Sequence, residues 1–278
     1  MKANLAKSAG FCAGVKRAVK LAWQCAARYP GRVFMLGDIV HNATVVNSLR
    51  QAGIKTVKSI NRIPRGAVIL IRAHGSAPAL YRAARRRGLK IVDATCPMVA
   101  AIHRHAISLE KDGYAVVIIG EARHDEVLGI AGEVARPTVL STVSEAEAWS
   151  APREKIGVVV QSTQNFDLVK AIVSVLLEKG SPVKVFNTIC AATRSHQAEI
   201  RQLPKQNEAM VVIGSKKSGN TKRLFEISRS LNRRSYWVET AADLRPVWFR
   251  RIKKVGVTAG ASTPPEVIRA VVRQLRKY

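Results

Sequence analysis

The strongest constraint on the fold is a threefold internal repeat. Three cysteines, Cys12, Cys96 and Cys190, lie 84 and 94 residues apart, and a helical pattern follows each. Each is followed, 28 or 29 residues later, by a polar residue four places after a glycine: Gly37 and His41, Gly120 and His124, Gly214 and Ser218. A second polar turn closes each unit: His74-Gly75-Ser76, Ser162-Thr163-Gln164 and Ala261-Ser262-Thr263. Repetition at this scale means one supersecondary unit used three times.

Within each unit the pattern alternates between short β-branched runs and helix-length amphipathic stretches. The runs are Val33 to Leu36, Val68 to Ile71, Ala115 to Ile119, Gly157 to Val160, Met210 to Ile213 and Val255 to Val257. Leu168 to Leu177 and Pro265 to Leu275 are typical of the helical stretches. This alternation predicts α/β modules with small parallel sheets and crossover helices. The boundaries follow the cysteines: 13–96, 97–189 and 190–278, with 1–12 packing on the third module. The polar turns fall at the carboxyl ends of strands, where open α/β sheets bind ligands.

Chemistry concentrates in those turns. Three thiols at helix starts suit a soft metal, because a helix N-terminus favours the thiolate. The short C-x-x-C spacing of structural zinc sites is absent. Zinc and an iron–sulfur cluster both remain open on ligand type, and three cysteines on a cubane leave one iron without a thiolate. Cys25 has no counterpart in the other units and reads as packing. His41, His74 and His124, with Ser218, Asn220 and Ser262, form a donor-rich set suited to phosphate or diphosphate. Glu126 is a lone carboxyl among them; Ala43 and Asn220 take its place in the other units. An acid is wrong for binding an anion, so Glu126 is expected to move protons. His103, His105 and His196 read as surface or packing residues.

The stretch Gly214 to Thr221, including Gly219, nearly matches a nucleotide-binding loop, but Asn220 stands where the lysine is required. A phosphate-cradling turn is retained and nucleoside triphosphate hydrolysis is disfavoured. No dinucleotide fingerprint opens a strand–helix unit. Net charge is +27, which implies attraction to phosphates or acidic partners. Aromatics are only 5%, too few for stacking platforms, and the densest basic run, residues 82–90, reads as a solvated helix face. Nucleic acid is therefore disfavoured. No apolar run is long enough to span a bilayer and no leader is apparent, so a cytoplasmic protein without membrane contact is expected.

Residues 10–14 (GFCAG), 40–42 (VHN), 73–75 (AHG), 93–97 (DATCP) and 256–262 (GVTAGAS), with His124 and Glu126, carry a resemblance over essentially the whole chain. The sequence resembles the 4-hydroxy-3-methylbut-2-enyl diphosphate reductases, iron–sulfur enzymes of isoprenoid synthesis. The resemblance implies a pseudo-threefold trefoil of α/β modules around a [4Fe-4S] cluster held by Cys12, Cys96 and Cys190. It implies substrate contacts from His41, His74, His124, Ser162, Ser218, Gly219, Asn220 and Ser262, and proton donation by Glu126. The implied partners are a small-molecule diphosphate and an electron donor such as ferredoxin or flavodoxin. Two departures stand out. Ser162 lies where the family usually has threonine. Asp125 replaces a common proline, and its charge is expected to raise the pKa of Glu126 or disturb the loop. The alternatives are a basic phosphate- or nucleic-acid-binding protein on a degenerate reductase fold, and a zinc-dependent hydrolase.

Overall fold

Twelve strands form three four-stranded sheets, every pairing parallel, among the residues described by the computed structural model, 1–150 and 155–278. One sheet contains β2 (Val33–Leu36), β3 (Lys55–Val57), β4 (Val68–Ile71) and β5 (Lys90–Asp93), in the order β3-β2-β4-β5. The next contains β6 (Ala115–Ile119), β7 (Thr138–Leu140), β8 (Ile156–Val160) and β9 (Val183–Val185), in the order β7-β6-β8-β9. The last contains β10 (Ala209–Ile213), β11 (Ser235–Val238), β12 (Lys254–Ala259) and the N-terminal β1 (Lys2–Leu5), in the order β1-β12-β10-β11. Thus β1 takes, in the third sheet, the place that β5 and β9 take in theirs.

The six inner strands are those visible as apolar runs. Three of them, β4, β8 and β10, are buried along their whole length, and β2, β6 and β12 at all but one end residue. A parallel strand covered on both faces needs apolar residues at every position, not at alternate ones. The edge strands are short and half-exposed, as in β3, β5 and β9, and leave no such run. They extend the expected pattern: each inner strand is flanked by an edge strand, which follows it in the chain everywhere except at β12, where the N-terminal β1 takes that place.

Helices α1 (Ala13–Arg28), α4 (Pro97–Lys111) and α8 (Ala191–Ile200) follow the three cysteines directly. Helices α2 (Ala43–Gln51), α5 (Asp125–Ala131) and α9 (Gly219–Leu231) follow the first polar turns. Helices α3 (Pro78–Arg86), α7 (Phe166–Glu178) and α10 (Pro265–Leu275) follow the second, and α6 (Val143–Ala148) lies between β7 and β8. Both faces of the middle sheet are covered. Ile102, Ala106 and Leu109 of α4 pack with Val116 and Ile118. Val169, Ile172 and Leu176 of α7 pack with Val117, Val158 and Val160. In the third sheet, Val211, Ile213, Val255 and Val257 bury against Val267 and Val271 of α10.

By compactness the chain divides into two units. One comprises 1–16, 41–46 and 191–278; the other comprises 17–40 and 47–190. The first carries the β1-β12-β10-β11 sheet and the second carries the other two. No helix among the described residues is long and apolar enough to cross a membrane.

Candidate functional site

The repeat is reproduced at the level of single hydrogen bonds. In every module the backbone N–H of the cysteine donates to the carbonyl two residues beyond an inner strand. Cys12 donates to Ala261 (3.3 Å), Cys96 to Ala73 (2.9 Å) and Cys190 to Ser162 (3.1 Å). The following turns close alike: Gly75 donates to Arg72, Gln164 to Gln161 and Thr263 to Gly260. This fixes a register that spacing left one residue out. Ala73, Ser162 and Ala261 are equivalent, so His74 corresponds to Thr163 and Ser262. Gly75 can take its place in the turn because its φ is +74°, a conformation costly for a residue with a Cβ.

The first turns also differ from simple spacing. His124 caps α5, its Nδ1 accepting from Glu126 N–H (3.2 Å), and Ser218 caps α9, its Oγ accepting from Thr221 N–H (3.3 Å). In the remaining module the capping side chain is Asn42, whose Oδ1 accepts from Val45 N–H (3.2 Å), with α2 beginning at Ala43. That turn is one residue longer, and His41 precedes the cap. The module position matching Glu126 and Asn220, two beyond the cap, is therefore Thr44 and not Ala43.

The unit 1–16, 41–46 and 191–278 holds Cys12, His41, Ser218, Gly219, Asn220 and Ser262. Within it, Ser262 Oγ donates to the His41 carbonyl (3.1 Å). Asn220 is buried on the first turn of α9 with its Nδ2 3.3 Å from His196 Nδ1. The other unit holds Cys96, Cys190, His74, His124, Glu126 and Ser162. It brings His74 and His124 together edge to face, with ring centroids 5.6 Å apart. Because His124 Nδ1 accepts from Glu126 N–H, the hydrogen of its neutral ring lies on Nε2, which leaves that atom a donor.

Glu126 is 2% exposed, and both its oxygens are engaged by one residue. Ser162 N–H donates to Oε1 (2.6 Å) and Ser162 Oγ to Oε2 (2.8 Å). Burial raises the Glu126 pKa, and the two Ser162 bonds oppose that rise without cancelling it. Through the Ser162 carbonyl the same residue accepts from Cys190 N–H, so a proton-holding group and a cysteine turn share one anchor. Asp125 does not act on Glu126 as its sequence position implied. Its charge is met by Arg72, 2.7 Å away, in a partly buried ion pair.

The three cysteine turns are alike in exposure as well as in backbone bonding. Cys12, Cys96 and Cys190 are part-exposed thiols, none in a disulfide, whereas Cys25 is buried in α1 and burial pushes its thiol up. Cys96 is the residue before α4 and makes no side-chain cap bond. Its turn is braced by Asp93, which accepts from Thr95 N–H (2.8 Å), Thr95 Oγ1 and the Tyr81 hydroxyl (2.9 Å). Burial pushes the Tyr81 pKa to about 12, so the phenol keeps its donor hydrogen. Arg17 donates to the Thr95 carbonyl (3.0 Å). Three equivalent soft donors at helix starts fit an iron–sulfur cluster by donor chemistry.

The model of one protein family, the LytB protein, matches residues 3–276. The chain belongs to the LytB protein family. Relatives of this LytB chain include the 4-hydroxy-3-methylbut-2-enyl diphosphate reductases of Geotalea uraniireducens, at 45% identity, and of Aquifex aeolicus, at 41%. The alignments cover 100% and 98% of this chain and 98% and 95% of those. Among solved structures, the reductase of Plasmodium falciparum superposes with a TM-score of 0.95 at 28% identity, covering 99% of this chain and 87% of that one. A second solved structure, of (E)-4-hydroxy-3-methyl-but-2-enyl diphosphate reductase, the terminal enzyme of the non-mevalonate pathway, is 40% identical with a TM-score of 0.71, each chain covered completely.

Two histidines that the sequence reads as surface or packing residues are buried and engage polar partners. His103 on α4 pairs its Nδ1 with Glu133 (2.7 Å), and His196 on α8 meets Asn220. Neither is simple packing or surface. The available signal was weak: each lies six or seven residues past a cysteine, on the helix that cysteine starts. His105 does pack, stacked on Phe186 with centroids 4.1 Å apart.

Proposed function

We propose that this LytB protein reductively dehydroxylates 4-hydroxy-3-methylbut-2-enyl diphosphate. The allylic C–O bond breaks, two electrons and two protons enter, and isopentenyl or dimethylallyl diphosphate and water leave. Relatives named for this reductase, matched over the full length of the chain, support the reading.

The observation that carries the site assignment is Glu126, a buried carboxyl with a raised pKa and both oxygens held by Ser162. It keeps its proton at pH values where surface carboxylates have lost theirs, and can deliver it to a leaving hydroxyl. Cys12, Cys96 and Cys190 are proposed to hold a [4Fe-4S] cluster. When bound, that cluster supplies the electrons and a Lewis-acidic iron for the substrate hydroxyl. His41, His74, His124, Ser218, Gly219, Asn220 and Ser262 are proposed to bind the diphosphate, whose charge suits imidazole and hydroxyl donors at helix N-termini. Ser162 orients the Glu126 carboxyl. The three-module division at 13–96, 97–189 and 190–278, with 1–12 on the third, belongs to the same reading and is supported by the pairing of β1 with β12. So do an acidic electron carrier, such as ferredoxin or flavodoxin, and a cytoplasmic setting that keeps thiols reduced.

Anaerobic purification tests the proposal. A brown protein with iron–sulfur absorption that consumes the allylic diphosphate in the presence of a low-potential reductant supports it. A colourless zinc protein, or a brown one inert toward that substrate, overturns it.

A further inference from the structure

Asn220 is 3% exposed, and its Oδ1 is buried with no hydrogen-bond partner. Its Nδ2 lies 3.3 Å from Nδ1 of His196, itself 3% exposed. An amide and an imidazole can meet in two ways, and the surroundings of His196 decide between them. The ring also hydrogen-bonds the backbone of Ser8, in the sense that favours a protonated ring nitrogen. A carbonyl only accepts, so a ring hydrogen points at Ser8. Ser8 is in turn fixed: Glu199 accepts from Lys7 N–H (2.6 Å), Ser8 N–H (2.9 Å) and Ser8 Oγ (2.6 Å).

A second ring proton would allow the opposite amide orientation, and the environment resists it. Burial lowers the His196 pKa, and neither the Ser8 bond nor the Glu199 charge reverses that. Although burial opposes it, the Ser8 and Lys7 bonds hold the Glu199 carboxyl below its ordinary range, so its charge stays engaged with the backbone. The ring is neutral, its hydrogen is on Nε2, and Nδ1 is a bare acceptor. Asn220 must therefore turn its NH2 toward His196.

We propose that His196 is a positioning residue, which fixes the Asn220 amide so that one N–H is occupied by Nδ1 while the other N–H is held ready to donate to the ligand. The proposal rests on the reading of Asn220 as a diphosphate contact. It makes Glu199, Ser8 and His196 a hydrogen-bonded chain, buried at its His196 end, that locks one binding side chain into a single orientation before the ligand arrives. Preorganisation of that kind acts on binding and leaves the chemical step alone.

The test is a double-mutant cycle on cluster-loaded protein, with inorganic diphosphate as the probe and calorimetry as the readout. His196→Leu removes the acceptor. Binding should weaken by about fivefold, the effect of one neutral hydrogen bond, and KM should rise while turnover at saturation is unchanged. Combined with Asn220→Ala, the His196 change should add nothing; additive losses would overturn the proposal. His196→Gln keeps an acceptor oxygen and should recover most of the affinity, which separates the role from simple packing if the leucine variant folds poorly. Nitrogen-15 spectra of the unmodified protein should show a neutral ring protonated at Nε2, and a ring protonated at Nδ1 overturns the inference. Protein that binds inorganic diphosphate in this pattern yet does not reduce the allylic substrate supports the His196 role and sinks only the proposed reaction.

Discussion

At the scale of single residues, Glu126 carries opposing influences from its own surroundings. Burial favours the neutral acid and the Ser162 bonds favour the carboxylate, with burial prevailing. Glu126→Gln keeps the shape and removes the transferable proton. Turnover per iron should fall by about 10²–10⁴-fold, with cluster assembly and diphosphate binding retained. If instead the residue serves only the dipole of α5, the variant loses about 0.3–1 kcal/mol of stability and reacts normally. The pH dependence has a definite sign. The folded pKa lies above the ordinary value of 4.5, so the folded form binds the extra proton between the two. This stabilising contribution is complete below the unfolded pKa and is lost as pH rises through the folded one. Activity should decline on the same alkaline limb, and stability measured against pH should lose that limb in Glu126→Gln. The cysteines make a parallel contrast. Replacing Cys12, Cys96 or Cys190 by Ala should each abolish iron retention, measured as iron per chain, while Cys25→Ala should retain it at normal levels.

At the scale of elements, the strand-end turns work by close backbone approach. Gly260 follows β12 and donates its N–H to the Ile213 carbonyl (2.8 Å). A Cβ there would lie 2.0 Å from Oγ1 of Thr221, which is fully buried one residue past Asn220. Thr221 has no room to retreat, so Gly260→Ala must push the first turn of α9 outward. Overpacking of this kind costs about 1–3 kcal/mol. Thermal unfolding should show a Tm lowered by several degrees, and KM should rise because Asn220 and the Ser218 cap move with the turn. An unchanged Tm would mean that β12 and α9 are less tightly coupled than these distances state.

At the scale of the whole molecule, the +27 charge is the dominant property. Nothing in the binding chemistry requires so much, since one diphosphate is met by a handful of donors. Many of the cations are exposed, as Arg82, Arg85 and Arg86 are on α3, although Arg87 is tied to the Asn61 and Ile63 carbonyls. A field of this size steers acidic macromolecules over distances that salt shortens to about 10 Å at 0.1 M. With an acidic ferredoxin or flavodoxin at limiting concentration, turnover should fall steeply as ionic strength rises. With a small neutral reductant it should stay level, and a level response to both would leave the charge without a part in electron delivery.

The sequence by itself determined the number of modules, the six inner strands and the three cysteine turns. Inner strands such as β4 and β8 are readable because burial on both faces demands unbroken apolar runs. The cysteine turns are readable because a repeat preserves spacing. The resemblance drawn from those motifs had already pointed to the family. The edge strands were not legible, because half-exposed segments of three or four residues carry no period. Nor was the register of the second turn, which depends on which carbonyl each cysteine N–H reaches. Partnerships across long separations also escaped: Ser162 beneath Glu126, Arg72 against Asp125, and His196 behind Asn220. Local spacing records which face of an element is buried. Which polar atom meets which, once the faces are packed, is settled by the tertiary fold, because a buried donor must find an acceptor wherever the chain has placed one.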